Sequence, residues 1–449
     1  MSRDRYEPTT YYVNAHIAPS SSSLNSPIYL EKAQPQASAM PEIPDGGWQA
    51  WATVAGAWFI LFATFGAATA FGVFEDFYVR VYLSDYTSSQ ISWIGSMQLF
   101  LLFSLGLVAG KLFDEGYFHH LEIGGAIIYV ASFIVLSFIQ PQKYGQVFVA
   151  HGLFAGLGLG LTFLTTAAVI SHHFARHRAV AVGVAFTGSS VGGIVFPIML
   201  NKMLLNPDYG FALTVRWMAV LMANCLLIGN LLVRTRLPPR KDRPPPVGPQ
   251  PNIKNFMKEP AFLLAIFAAL ESKLMCVVFY LQLDSALHGV DPDLCVYLVT
   301  ILNAGSLPGR IIPTFLADRF GVFNALICSC VLCGTFVLAM FSITGPAATP
   351  AVLIAACYGF AYGALVSLIP ALAGTLSNNV NEIGIRSGIM FMFAGVGALA
   401  GSPIHGQLLG KTFEWSKSII FAAGMLFAGT AVMSISRRLT VKKKGTSFI

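Results

Sequence analysis

Charge is what this sequence has least of: Lys, Arg, Asp and Glu make up 11% of its 449 residues, against roughly 25% in an ordinary soluble domain. So few charges cannot cover a water-facing surface, and a soluble enzyme is excluded. A disulfide framework is missing as well. The seven Cys (225, 276, 295, 328, 330, 333 and 357) lie mostly inside apolar segments and read as small core residues. Residues 1–47 are polar and rich in Ser and Pro, with no apolar stretch near Met1. No cleavable signal peptide is expected there, and this segment reads as a disordered cytoplasmic head. Motifs for cofactors fail on context. Gly156-Leu-Gly158-Leu-Gly160 imitates a dinucleotide loop but follows no strand, so it reads as helix packing. Cys330-Val-Leu-Cys333 has no second pair to complete a zinc site. His119-His120 and His172-His173 with His177 are too few, and too far from acids, for a di-iron centre. No cofactor, no metal and no enzyme activity are expected.

What is present is apolar. Hydrophobic residues reach 55%, with 42 Gly and 35 Phe, and the mean hydropathy is +0.66, the composition of helices packed against one another in lipid. Apolar runs fall at 48–74, 91–113, 121–140, 146–171, 179–202, 214–234, 261–283, 294–317, 322–343, 349–375, 383–409 and 415–435. Each is long enough for a spanning helix of about 20 residues. The longest polar break follows the sixth run, where Arg234-Thr-Arg-Leu-Pro-Pro-Arg-Lys-Asp-Arg-Pro-Pro-Pro begins a stretch too short for a folded domain. The chain therefore divides into a head (1–47), a six-helix half (48–234), a cytoplasmic linker (235–260), a second six-helix half (261–435) and a basic cytoplasmic tail (436–449).

Lys and Arg give the orientation, because cytoplasmic loops carry the excess. With the amino terminus inside, 20 of the 28 basic residues, Arg386 among them, lie on the cytoplasmic side and 6 on the other. The remaining two, Lys273 and Arg310, fall inside the membrane. Both termini are expected in the cytoplasm. The net charge of +7 follows from this topology and calls for no nucleic-acid partner, and Lys442-Lys443-Lys444 suits anionic membrane lipids.

The two halves repeat. Gly110-Lys-Leu-Phe-Asp114-Glu-Gly follows the second run, and Leu316-Ala-Asp318-Arg319-Phe-Gly321 follows the eighth; the two aspartates stand 204 residues apart. A small residue followed by Asp in that loop resembles the signature of the major facilitator superfamily. The resemblance implies an all-α membrane protein of twelve transmembrane helices in two six-helix halves. Asp114 and Asp318, beside the basic Arg319, Arg176 and Arg178, are then candidates for a latch at the cytoplasmic helix ends. Two further motifs narrow the family. Pro44-Asp45-Gly46-Gly47-Trp48-Gln-Ala-Trp51 opens the first helix and resembles the opening motif of the monocarboxylate porters, with one extra residue between the tryptophans. Phe174-Ala-Arg176-His-Arg178, followed by small residues as far as Gly192, resembles the second signature of that family in its fungal branch.

Pore charges transfer only in part. The family pattern has a basic residue midway along helix 1; here none lies between Trp51 and Val79, and Thr69 is near the expected place. On helix 8 the pattern is an Asp with an Arg four residues later. Arg310 is kept, with Ser306 where the acid would be. An ionised group inside an apolar run costs at least ~2.5–3.5 kcal/mol on insertion scales and normally faces a water-filled cavity. Arg310 is therefore a candidate for substrate binding or gating, or alternatively for an ion pair with Glu271. Glu271 and Lys273, two residues apart, point about 200° away from each other around helix 7. Each needs its own partner or the cavity. Glu271 is the better proton carrier, and Lys273 can neutralise an acid or a substrate carboxylate.

Together these features imply a secondary transporter that moves a small organic anion or carboxylate-bearing metabolite by alternating access. Protons are a candidate coupling ion and the plasma membrane the expected site. The fungal resemblance leans towards efflux of a secondary metabolite. Uptake of a monocarboxylate or vitamin-like solute is an alternative, as is a non-transporting receptor of the same fold. The aromatics of helix 1 (Trp58, Phe59, Phe62, Phe65, Phe71 and Phe74) suit either a larger, partly apolar solute or the lipid.

Overall fold

In a bilayer every backbone N–H and C=O must find its partner within the protein, so apolar runs of this length close on themselves as helices. The computed structural model describes residues 46–174, 178–204, 206–236, 253–274, 277–377, 380–409 and 415–446. The first half holds α1 (Trp48–Tyr82), α2 (Ser88–Phe113), α3 (Phe118–Leu136), α4 (Tyr144–His172), α5 (Arg178–Leu204) and α6 (Gly210–Leu232). The second holds α7 in two segments (Pro260–Leu274 and Val277–Leu287) and α8 (Pro292–Phe320). It continues with α9 (Val322–Ser342), α10 (Ala348–Leu376), α11 (Val380–Leu409) and α12 (Trp415–Lys444). Ten of these, among the described residues, are long and apolar enough to cross a membrane by length and composition.

The repeat seen in the sequence is also a repeat of burial. Of those ten, α3, α6, α9 and α12 are the least buried and α1 the most. Ile127, Leu231, Leu338 and Ile420 lie exposed on these outer helices, apolar side chains suited to lipid. Small residues let the inner helices approach: a β-carbon on Gly188 or Gly192 of α5 would collide with the carbonyls of Trp58 or Phe62 on α1. The run Gly156, Gly158 and Gly160 does the same work, lying against Gln98, Tyr129 and Leu101 of the neighbouring helices. Three stretches widen into π-helix: Phe62–Gly66, Tyr78–Tyr82 and Phe148–Phe154. All three lie in the first half.

Several boundaries differ from those the apolar runs suggest. α1 passes residue 74 and reaches Tyr82, because its polar end is satisfied locally: Ser92 donates to Glu75, and Asp76 pairs with Arg80 at 2.6 Å. α12 continues to Lys444, so residues 436–444, expected as a tail, are its last turns. They are held there by Lys443 on Glu259 and by Lys444 on the Thr375 carbonyl. Arg386, counted above as a cytoplasmic loop residue, is fully buried within α11. Of the linker, residues 237–252 lie outside the described residues, as do residues 1–45 of the head. Its end, Ile253–Phe256, is a single helical turn whose Phe256 is buried.

Candidate functional site

The two halves meet where α5 of the first lies along α8 of the second. Ser190 Oγ and Ser306 Oγ are 2.8 Å apart across this seam. The Asn303 amide of α8 donates to the Gly193 carbonyl of α5 at 3.1 Å. A β-carbon on Gly193 would strike both Asn303 Oδ1 and Thr69 Oγ1, so Thr69 of α1 belongs to the same meeting point. Its hydroxyl donates to the Gly66 carbonyl at 2.7 Å. Thus Thr69 and Ser306, both singled out by position in the sequence, come together at the seam.

One turn from Ser306 along α8 stands Arg310, 1% exposed. Its guanidinium faces the rings of Phe65 on α1 and Phe186 on α5, each 5.9 Å away, at the outer limit of a cation–π contact. Tyr362 of α10 lies within electrostatic reach. Nε and Nη1 have no hydrogen-bond partner. Phe65 continues into an aromatic cluster that bridges the halves. Phe163 of α4 is 5.3 Å from Phe65 and 5.8 Å from Phe186, and Phe103 of α2 stacks on Phe391 of α11 at 5.9 Å. Two phenylalanines thus face the cation, and rings from three further helices extend the cluster behind them. Such a site offers charge-assisted donors to an anion and flat apolar faces to the rest of it.

Glu271 is elsewhere. It is 3% exposed, and it lines a cavity with Cys330 of α9, Leu365 of α10, Met390 of α11 and Gly429 of α12. No ion pair joins it to Arg310 among the described residues, so the two charges are not each other's partners. Lys273, Asp114, Asp318 and Arg178 lie in helical backbone, but their side chains fall outside the described residues, as Arg176 and Asp45 do entirely. Arg319 is exposed, with its guanidinium 5.2 Å from the Phe315 ring. In the opening motif Gly46 and Gly47 take φ of 153° and 97°, a conformation suited to glycine. Trp48 is 88% exposed, and Trp51 meets Phe174 edge-on.

Other buried polar groups had no flag in the sequence reading. Glu122 on α3 is fully buried and accepts from the hydroxyls of Thr165 and Thr166 at 2.7 and 2.9 Å; an acid early in an apolar run was its signal. His151, inside the π-helical part of α4, pairs with Tyr78 OH at 2.9 Å. Gln98 of α2 is buried with both amide atoms unpartnered. Among the described residues no group of His, Cys, Asp and Glu could hold a metal ion.

Comparison with known proteins agrees with this architecture. The sequence pattern of the Major Facilitator Superfamily matches residues 50–402. MFS transporter asaE of Aspergillus flavus is 34% identical over 419 residues, 92% of each chain. The aspyridones efflux protein apdF of Emericella nidulans is 32% identical, covering 92% of this chain and 82% of its own length. The fujikurins efflux protein of Gibberella fujikuroi is 35% identical, covering 89% and 85%. Among solved structures, a D-xylose-proton symporter superposes with a TM-score of 0.65 at 12% identity, covering 86% of this chain and 96% of that one. From twelve helices in two like halves, a seam between them and these matches, it follows that the chain belongs to the Major Facilitator Superfamily and is a multi-pass secondary transporter.

Proposed function

We propose that this transporter exports an organic anion, a carboxylate-bearing secondary metabolite larger than a simple monocarboxylate, through the seam between its halves. The observation that carries the proposal is Arg310 of the second half: a buried guanidinium with two donors unpartnered, set against two phenylalanines of the first half. An unsatisfied buried donor costs ~1–3 kcal/mol, more when charged, and two ring faces at the limit of range do not offset that. An anionic ligand does. The aspyridones and fujikurins efflux proteins among its relatives support the outward direction. The opening motif and the missing helix-1 cation support a monocarboxylate-porter ancestry with an altered substrate. The basic-residue asymmetry supports cytoplasmic termini. Within this reading Asp114 and Asp318 latch the cytoplasmic helix ends, so Asp318→Asn should lower flux at equal abundance; unchanged flux would refute the latch.

The test compares metabolites in medium and cells, with and without the gene, and then follows the solute that accumulates inside. Arg310→Lys keeps the charge but loses the planar fork, and Arg310→Ala loses both. Losing a charge-assisted hydrogen bond of ~1.5–3 kcal/mol should weaken apparent affinity about tenfold to a hundredfold, in the order Arg, Lys, Ala. Equal secretion by all three at matched abundance would refute the anion site.

A further inference from the structure

We infer that Glu271 is a proton-binding site enclosed within the second six-helix half, apart from the anion site at the seam, and that the α8–α10 pair mechanically joins the two. The inference rests on the reading of Arg310 as the anion site. It gives the protein the coupling acid that Ser306 no longer supplies.

The carboxyl is buried, and its Oε2 has no hydrogen-bond partner. It reaches across to α12 because Gly429 leaves room: a β-carbon there would stand 2.9 Å from Oε2. The rest of the cavity wall is apolar apart from one thiol. α9 presents Leu326 and Cys330, α10 Leu365 and Ile369, α11 Met390 and α12 Met433, with no Lys, Arg or His among the described lining residues. On α7 itself the only nearby cation is Lys273, set about 200° around the helix. Among the described lining residues a carboxylate has no cation to balance it and only a weak thiol donor in reach of the cavity, whereas the protonated carboxyl is neutral. Proton uptake and release at this site therefore require water to reach the cavity, and movement of the surrounding helices would govern that access. Opening the bundle becomes the step that exchanges the proton.

Helix α10 touches both sites. Tyr362 lies near Arg310, and Leu365, about one turn on, lines the Glu271 cavity. α10 is also locked to α8. β-Carbons on Gly305 and Gly309 would collide with the carbonyls of Ala356 and Phe360, and those on Gly359 and Gly363 with the carbonyls of Leu302 and Ser306. Two small-xxx-small faces in such contact move as one body. When an anion draws Arg310 and α8 to a new position, α10 carries the wall of the Glu271 cavity with it.

The probe is the proton itself. pH-difference infrared spectroscopy of the full-length protein in lipid should show a protonated-carboxyl C=O band that titrates. That band should be lost in Glu271→Gln, shifted in Glu271→Asp, and retained in Glu122→Gln and Arg310→Ala. Melting temperatures verify that each variant is folded, and Glu271→Asp serves if the Gln variant is not. Survival of the whole band in folded Glu271→Gln, an unshifted band in Glu271→Asp, or the absence of any titrating band in the wild type would overturn the proton site. Loss of the band in Arg310→Ala would overturn its separateness. Failure of the anion reading appears instead as unchanged secretion by the Arg310 variants, with the infrared band untouched.

Discussion

Two arginines among the described residues are buried, and their surroundings differ. Arg386 is held on every side. It donates to Glu259 at 2.8 and 3.3 Å and to Glu382 at 3.1 Å, and it lies 4.2 and 4.8 Å from the rings of Phe256 and Phe262. Removing the guanidinium breaks several charge-assisted hydrogen bonds of a buried group at once, so Arg386→Gln should cost ~3–5 kcal/mol of stability, read as a fall in melting temperature. Burial works against the Glu259 carboxylate, but hydrogen bonds and charge from Arg386, with help from Lys443, hold it below its ordinary value of 4.5. A carboxylate depressed by folding stabilises above its unfolded value and loses that contribution as pH falls through the folded one. Melting temperature should accordingly drop below pH 4.5, and Glu259→Gln should start lower and drop less. A parallel pH dependence in both proteins would contradict the assignment. Arg310 has no such support at Nε and Nη1, and in the proposed function an anionic ligand completes it. The sequence singled out Arg310 because it interrupts an apolar run. Arg386 was misread because it stands near the start of one, where arginines are usually solvated, and Glu259 is 127 residues away.

Among helices, apolar length was easy to read and contact was not. The twelve runs correspond to twelve helical traverses because lipid leaves the backbone no other way to satisfy itself. Which glycines touch which helix depends on crossing geometry that a single chain does not display: Gly305 and Gly359 lie in separate runs and become one interface only when α8 meets α10. That interface makes a sharp prediction. A β-carbon on Gly309 would run into the Phe360 carbonyl, whereas one on Gly424 of α12 would meet nothing within 4 Å. Gly309→Ala should therefore destabilise by ~1–3 kcal/mol through overpacking, and Gly424→Ala should be neutral or slightly stabilising as a better helix former. Equal melting temperatures for the two variants would show that α8 and α10 are not in the contact described.

For the whole molecule, the proposed transport path runs through a seam that is closed here by small polar contacts and a stacked pair of rings. Ser190 meets Ser306, Asn303 meets Gly193, and Phe103 stacks on Phe391. Alternating access requires this seam to part and re-form in each cycle. The two serine hydroxyl oxygens, 2.8 Å apart, place the β-carbons close to the separation a disulfide spans, about 3.5–4.5 Å. The most direct measurement is secretion by the double variant Ser190→Cys with Ser306→Cys, before oxidation, after oxidation and after reduction. Mass spectrometry of the joined peptides would give the cross-linked fraction, and the two single variants would serve as controls. The seam account predicts that secretion falls in proportion to that fraction and returns on reduction, with the single variants unaffected. Undiminished secretion from fully cross-linked protein would contradict it.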